Sequence, residues 1–164
     1  MSNLSDTTAQ PADGFVASAA PERRDWLSVL AKARPDELLP LWERLTPPEA
    51  TLLRAPEVGM VMVRGRAGGA GAAFNLGEMT VTRCAVRLAT GATGIGYVSG
   101  RDKRHAHAAA IIDAMMQSPA LRPQAEAGVI APLKAAAHAR TEAASRKAKA
   151  TQVEFFTMVR DRKA

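Results

Sequence analysis

A chain of 164 residues with 47% hydrophobic content has enough apolar side chains for one core and too few for two independent ones. Aromatic residues make up only 4%, so Leu, Val, Met, Ile and Ala must fill that core, and a fold of marginal stability on its own is expected. A single cysteine, Cys84, excludes an intrachain disulfide and argues against a cysteine-based zinc site, while the formal charge of +6 leans the chain toward anionic partners.

That charge is unevenly placed. Residues 1–58 carry six basic and nine acidic groups, residues 59–119 seven and three, and residues 120–164 nine and four. A basic rear portion suits phosphate, nucleic acid or an acidic protein surface, and a solvated surface rich in arginine accounts for it equally well. There is no run of about 18 apolar residues, so no membrane span is expected. The first twenty residues lack the basic head and apolar stretch of a secretory signal, which makes the cytoplasm the expected compartment.

In chain order, residues 1–20 read as a disordered polar tail, followed by one α+β domain over 21–164. A first helix has Pro21 in its opening turn and Trp26, Leu27, Leu30 and Ala33 on one face. Pro35 opens a second, with Leu38, Leu41, Trp42 and Leu45 as its stripe and a kink expected at Pro40. Both tryptophans read as core or interface anchors. After Pro47–Pro48 come a short strand at 51–54 and an alternating strand over 58–66, with Val61 and Val63 on one side and Met60, Met62, Arg64 and Arg66 on the other.

Gly68, Gly69 and Gly71 suit a hairpin loop. The next strand, 76–88, changes phase between Met79/Val81 and Cys84/Val86/Leu88, which predicts a bulge near Thr82–Arg83 and places Arg83 and Arg87 on a common face. A turn at Gly91 leads to a strand over 93–99. Gly100 ends it, and Asp102 caps a helix over 103–117 with Ala108, Ile111, Ile112 and Met115 buried. Pro119, Pro123 and Gly128 mark an irregular connection. A basic helix over 133–150 has too thin an apolar face to pack well on its own domain, so it is expected to lie along a neighbouring element or a partner. The segment VEFFTMVR at 153–160 reads as a closing strand or an interface segment. The fold class is thus α+β: an antiparallel sheet of about three to five strands with N-terminal helices, the 103–117 helix and a basic C-terminal helix.

Motifs for self-contained chemistry are missing. The run GIGYVSG at 94–100 places its third glycine one residue late for a dinucleotide turn, and it lies within a strand. The GGAG at 68–71 lacks the Lys-Ser/Thr of a phosphate-binding loop. His105 and His107 are two apart, which on a helix turns them to different faces, so they cannot share a metal ion. His105 could meet an anion at the helix start together with Arg101 and Lys103, or sit in a solvated first turn. Cys84, inside a strand, reads as a small core residue. No catalytic residue and no metal ligand is assigned.

One resemblance is specific. The segments RDWLSVLA (24–31), RAPEVGMVMVRGRAGGAGAAFNLGEMTVTRCAVRL (54–88), GYVSGRDKRHA (96–106), IIDAMMQ (111–117), IAPL (130–133) and VEFFTMVR (153–160) closely resemble the PhnG family of the bacterial carbon–phosphorus lyase system, in order and at similar spacing. The tail at 1–20 is longer than the family's, and Asp161 stands where the family often has glycine. The resemblance implies an accessory subunit of a core complex with PhnI-like, PhnH-like and PhnJ-like subunits, aided by a PhnL-like protein. In that system an alkylphosphonate displaces adenine from ATP to give ribose 1-alkylphosphonate 5-triphosphate. Glycosyl transfer is attributed to PhnI. The iron–sulfur cluster and S-adenosylmethionine belong to PhnJ, and no cofactor is expected on this chain. Arg64, Arg66, Arg83, Arg87 and Arg101, with Lys103 and His105, are then the candidates for phosphate contact or for salt bridges to a partner subunit. The alternative is a free, basic nucleic-acid-binding protein, which has little aromatic surface to stack on.

Overall fold

A computed structural model describes residues 20–66 and 71–151. The polar tail, the centre of the glycine loop at 67–70 and the VEFFTMVR segment lie outside the described residues. The elements are α1 (Ala20–Lys32), α2 (Pro35–Trp42), β1 (Ala50–Arg66), β2 (Ala73–Leu88), β3 (Thr93–Ser99), α3 (Lys103–Met116), α4 (Arg122–Ala125) and α5 (Ala131–Ala150). The strands form one antiparallel sheet in the order β1-β2-β3. The α+β class, the N-terminal helices and the C-terminal helix are as expected, and the three strands among the described residues are the lower bound of the expected number.

α3 is the centre of the molecule. Its first turn is set by Gly100, whose φ of 92° suits glycine, and by the Asp102 carboxylate, which accepts the His105 amide at 3.0 Å. The expected stripe of Ala108, Ile111, Ile112 and Met115 is buried, yet burial extends around the whole helix from Ala108 to Met116. The reason is that α3 lies between layers, with β2 and β3 on one side and α1, α2 and α4 on others.

The approach of α3 to the sheet explains the GIGYVSG run. A Cβ on Gly94 would sit 1.9 Å from the Ala110 carbonyl oxygen, and one on Gly96 1.9 Å from that of Ala106. Ala106, Ala110 and Ala114, at helical spacing, face these glycines, so backbone meets backbone with no room for side chains. What looked like half a nucleotide turn is a helix-packing surface.

A buried carboxylate ties the layers together. Asp113, fully enclosed on α3, accepts from Arg23 Nε and Nη2 at 3.2 and 2.8 Å, from Trp26 Nε1 at 2.8 Å and from the Ile95 amide at 2.8 Å. It therefore satisfies a β3 backbone donor that does not pair with β2, and it anchors α1. Arg122 stacks over the Trp26 ring at 5.5 Å and pairs with Glu22 at 3.0 Å, closing the group from outside.

The β2–β3 register runs unbroken from Val81↔Ser99 to Arg87↔Thr93, so the bulge expected at Thr82–Arg83 is absent. Val81 and Thr82 are instead buried in succession on opposite faces, and the Thr82 hydroxyl donates to the Gly100 carbonyl at 2.8 Å. The irregularities fall on β1 between Leu52 and Glu57, around Pro56, and on β2 at Leu76, the extra residue where Val63 gives way to Arg64. The two strands expected over 51–54 and 58–66 are one strand of 17 residues.

The irregular connection expected around Pro119–Gly128 is largely helical. α4 runs into a π-helical turn over Glu126–Ile130 and then directly into α5. The Ala131 amide reaches back to the Glu126 carbonyl just before Pro132, which has no amide to give. Leu45 packs where only the bare Gly128 backbone leaves space, with its Cδ2 2.9 Å from a would-be Cβ. α5 buries Leu133 and pairs Arg140 with Glu37. Residues 141–150 are exposed throughout, as the thin apolar face predicted.

Candidate partner interface

Residues opposite each other in an antiparallel ladder share a face. Register alone therefore maps the sheet face that α3 does not cover. Its rows are Glu57–Arg83–Tyr97, Arg54–Ala85–Ile95 and Thr51–Arg87–Thr93. Arg83 donates to Glu57 at 3.0 Å and Arg54 lies 3.4 Å from the same carboxylate oxygen, leaving the face net positive. The Arg83 Nε is buried and has no hydrogen-bond partner among the described residues. Tyr97 and Ile95 are 41% and 45% exposed, which makes this a flat surface with an apolar strip bordered by guanidinium groups.

Beyond Val81 no third strand pairs with β2 among the described residues. β1 and β2 continue as a two-stranded arm, Gly59–Arg66 paired with Ala73–Val81. At about 3.3 Å per residue it projects roughly 25 Å past the three-stranded part. Its apolar side chains are open to solvent: Met60 and Leu76 are 67% exposed, and Met62 and Phe74 about half. An isolated ribbon of this kind is marginal in water, and contiguous exposed apolar residues mark an interaction surface.

The seven candidate side chains do not converge. Arg83 and Arg87 share the uncovered sheet face, as their spacing predicted. Arg64 and Arg66 sit at the far end of the arm, exposed beside a shallow recess with Gly65 and Ala73. Ten residues of β2 separate Ala73, opposite Arg66, from Arg83, a span of roughly 33 Å. Arg101 and Lys103 are exposed on either side of the cap Asp102, at the β3–α3 corner.

His105 departs from its expected place. It is fully buried, with Nε2 3.1 Å from the Leu30 carbonyl oxygen and Nδ1 without a partner, so it faces neither solvent nor an anion. The helix start turns it inward against α1, where it joins α3 to that helix. Burial lowers its pKa below the ordinary value of about 6.5, opposed by the Leu30 carbonyl and the nearby Asp102 carboxylate. Cys84 is buried in the sheet, and burial pushes its thiol pKa up.

Sequence reasoning passed over the Asp113 group and the apolar arm. An acid inside the apolar run IIDAMM was the signal for the first. Methionines at 60 and 62 alternating with valines at 61 and 63 were the signal for the second, because a strand apolar on both sides needs two covering layers. Among the described residues no three His, Cys, Asp or Glu side chains gather as a metal site, and no helix is long and apolar enough to cross a membrane.

Known proteins match this chain along nearly its whole length. The family described as "Phosphonate metabolism protein PhnG" matches residues 21–161. A Rhizobium meliloti (strain 1021) protein named alpha-D-ribose 1-methylphosphonate 5-triphosphate synthase subunit PhnG is 46% identical over 144 residues, covering 85% of this chain and 89% of its own. With its described fold running through that match, the chain belongs to the PhnG family of phosphonate metabolism proteins.

Proposed function

We propose that this chain is a non-catalytic subunit of a synthase that forms alpha-D-ribose 1-methylphosphonate 5-triphosphate from ATP and methylphosphonate during phosphonate catabolism. The observation that carries the reading is the 46% identity to a subunit of that synthase across 89% of the relative. In the reaction a phosphonate oxygen bonds to ribose C1 while the bond from C1 to adenine breaks, and adenine leaves with the displaced electron pair. The described part of the chain offers no evident acid–base pair for that displacement. Its most exposed apolar surface is the arm, which suits a partner's groove rather than solvent.

The partners in this reading are PhnI-like, PhnH-like and PhnJ-like subunits, assisted by a PhnL-like protein, in the cytoplasm. The family resemblance gives the iron–sulfur cluster and S-adenosylmethionine to the PhnJ-like partner, and the single buried cysteine of this chain is in keeping with that. The test is co-expression of the tagged chain with those subunits, followed by an adenine-release assay on the purified complex. A complex of fixed stoichiometry that loses activity when this chain is omitted supports the reading. Turnover by the isolated chain, or no association, overturns it.

A further inference from the structure

We propose that Arg64 and Arg66, at the end of the β1–β2 arm, bind phosphoryl or phosphonyl oxygens of the synthase's reactants in a site completed by a partner subunit. This rests on the synthase reading above. The first ground is how arginine is used elsewhere in the molecule. Seven described arginines pair with carboxylates of this chain, and Arg24, Arg44, Arg87, Arg101 and Arg146 do not, but only at the arm's tip do two unpaired arginines stand two residues apart on one strand. Arg64 and Arg66 pair with no carboxylate among the described residues, and the sole acid between Val58 and Thr82, Glu78, lies opposite Met62.

The second ground is position. Two exposed guanidinium groups alternate with half-buried Gly65 and Val63, so both project from one face of the strand, about 7 Å apart along it. Arg66 also donates to the Gly71 carbonyl at 3.4 Å, which ties its head to the end of the loop just before β2. Gly65 keeps the strand between them free of a side chain, and the shallow recess they share is open.

The third ground is charge. The product named for the relative carries a triphosphate and a phosphonate on one ribose, and its formation brings two anions together. Planar guanidinium forks match such oxygens in geometry and offset their mutual repulsion. An arm whose sides are apolar and whose end is cationic is built to be gripped along its length while presenting its tip.

The test uses the assembled complex with Arg64→Ala, Arg66→Ala, the double variant and the double lysine variant. Assembly is read by mass photometry, and adenine release is measured with ATP varied at fixed methylphosphonate and then the reverse. Intact complexes are expected, in which the double alanine variant raises KM for one of the two anions at least about 10-fold, with partial recovery by lysine. A rise for ATP assigns the tip to the triphosphate, and a rise for methylphosphonate assigns it to the phosphonate. Unchanged KM for both, or variants that fail to assemble although the wild-type chain does, overturns the proposal and leaves the arginines as idle or interface groups. A wild-type chain that neither assembles nor supports turnover instead sinks the synthase reading itself.

Discussion

The layer around α3 and the β1–β2 arm are made from the same few residue types and use them in opposite ways. Around α3, Ala and Gly bring backbones into contact, and the charges of Arg23 and Asp113 are spent on each other. On the arm, Met and Leu face solvent and the arginines of the tip keep no carboxylate partner among the described residues. The first region ties the chain's own layers together. The second leaves apolar side chains and the tip arginines exposed, and on the reading proposed above it is the surface a partner covers. On that reading stability and function rest on different residues, and substitutions should separate them.

The largest effects belong to the layer around α3. Asp113→Ala strands Arg23, the Trp26 indole and the Ile95 amide together, and should cost about 3–5 kcal/mol in urea unfolding. Gly96→Ala forces a Cβ toward a backbone oxygen and should reach at least the upper end of overpacking, about 3 kcal/mol, by the same measurement. If either variant unfolds like the wild-type chain, the central layer is not what holds the molecule together.

A smaller, pH-dependent effect comes from His105. Its folded pKa is below the unfolded one, so the unfolded chain takes up the proton first as pH falls. Its neutral, buried state therefore adds stability above about pH 6.5, and that contribution is lost as pH falls from there toward the folded pKa. Thermal unfolding of the wild type should weaken over that window more steeply than that of His105→Gln. Parallel curves would remove the histidine from the core's account.

On the arm the order reverses. Met60→Ser with Leu76→Ser should move the isolated chain's stability by no more than about 0.5 kcal/mol. The same pair should weaken assembly at least about 10-fold in a titration against the partner subunits, as expected when buried apolar anchors are lost. A strong loss of stability in the free chain would show that the arm packs on its own body after all.

Much of the layer around α3 was legible because its signals are local. Gly100, Asp102 and the apolar spacing that follows define α3 within a residue or so, and period two revealed the common face of Arg83 and Arg87. The errors came where one signal had two readings. A change of phase at Val81 looked like a bulge, but it records where the third strand stops: one face is buried from Cys84 to Leu88, both at Val81–Thr82, and neither over 73–79. Pro119, Pro123 and Gly128 looked like an irregular connection, whereas Pro123 stands in the first turn of α4, which does not need its amide. His105 looked available to an anion because it stands with Arg101 and Lys103 at a helix start, and only the direction of that start decides which way each side chain turns. The candidate site was legible as a list of arginines and illegible as an arrangement, since register and arm length are long-range properties.

The bare backbones of Gly94 and Gly96 against α3 also determine from which direction the protein can be approached. With helix and strand in direct contact there is no crevice between them for a small molecule to enter and no slack for one layer to slide over the other. A small visitor is therefore left with other places among the described residues: the opposite surface of the sheet, the projecting ribbon, or the recess lined by Met116, Gln117, Pro119, Arg122, Pro123 and Glu126.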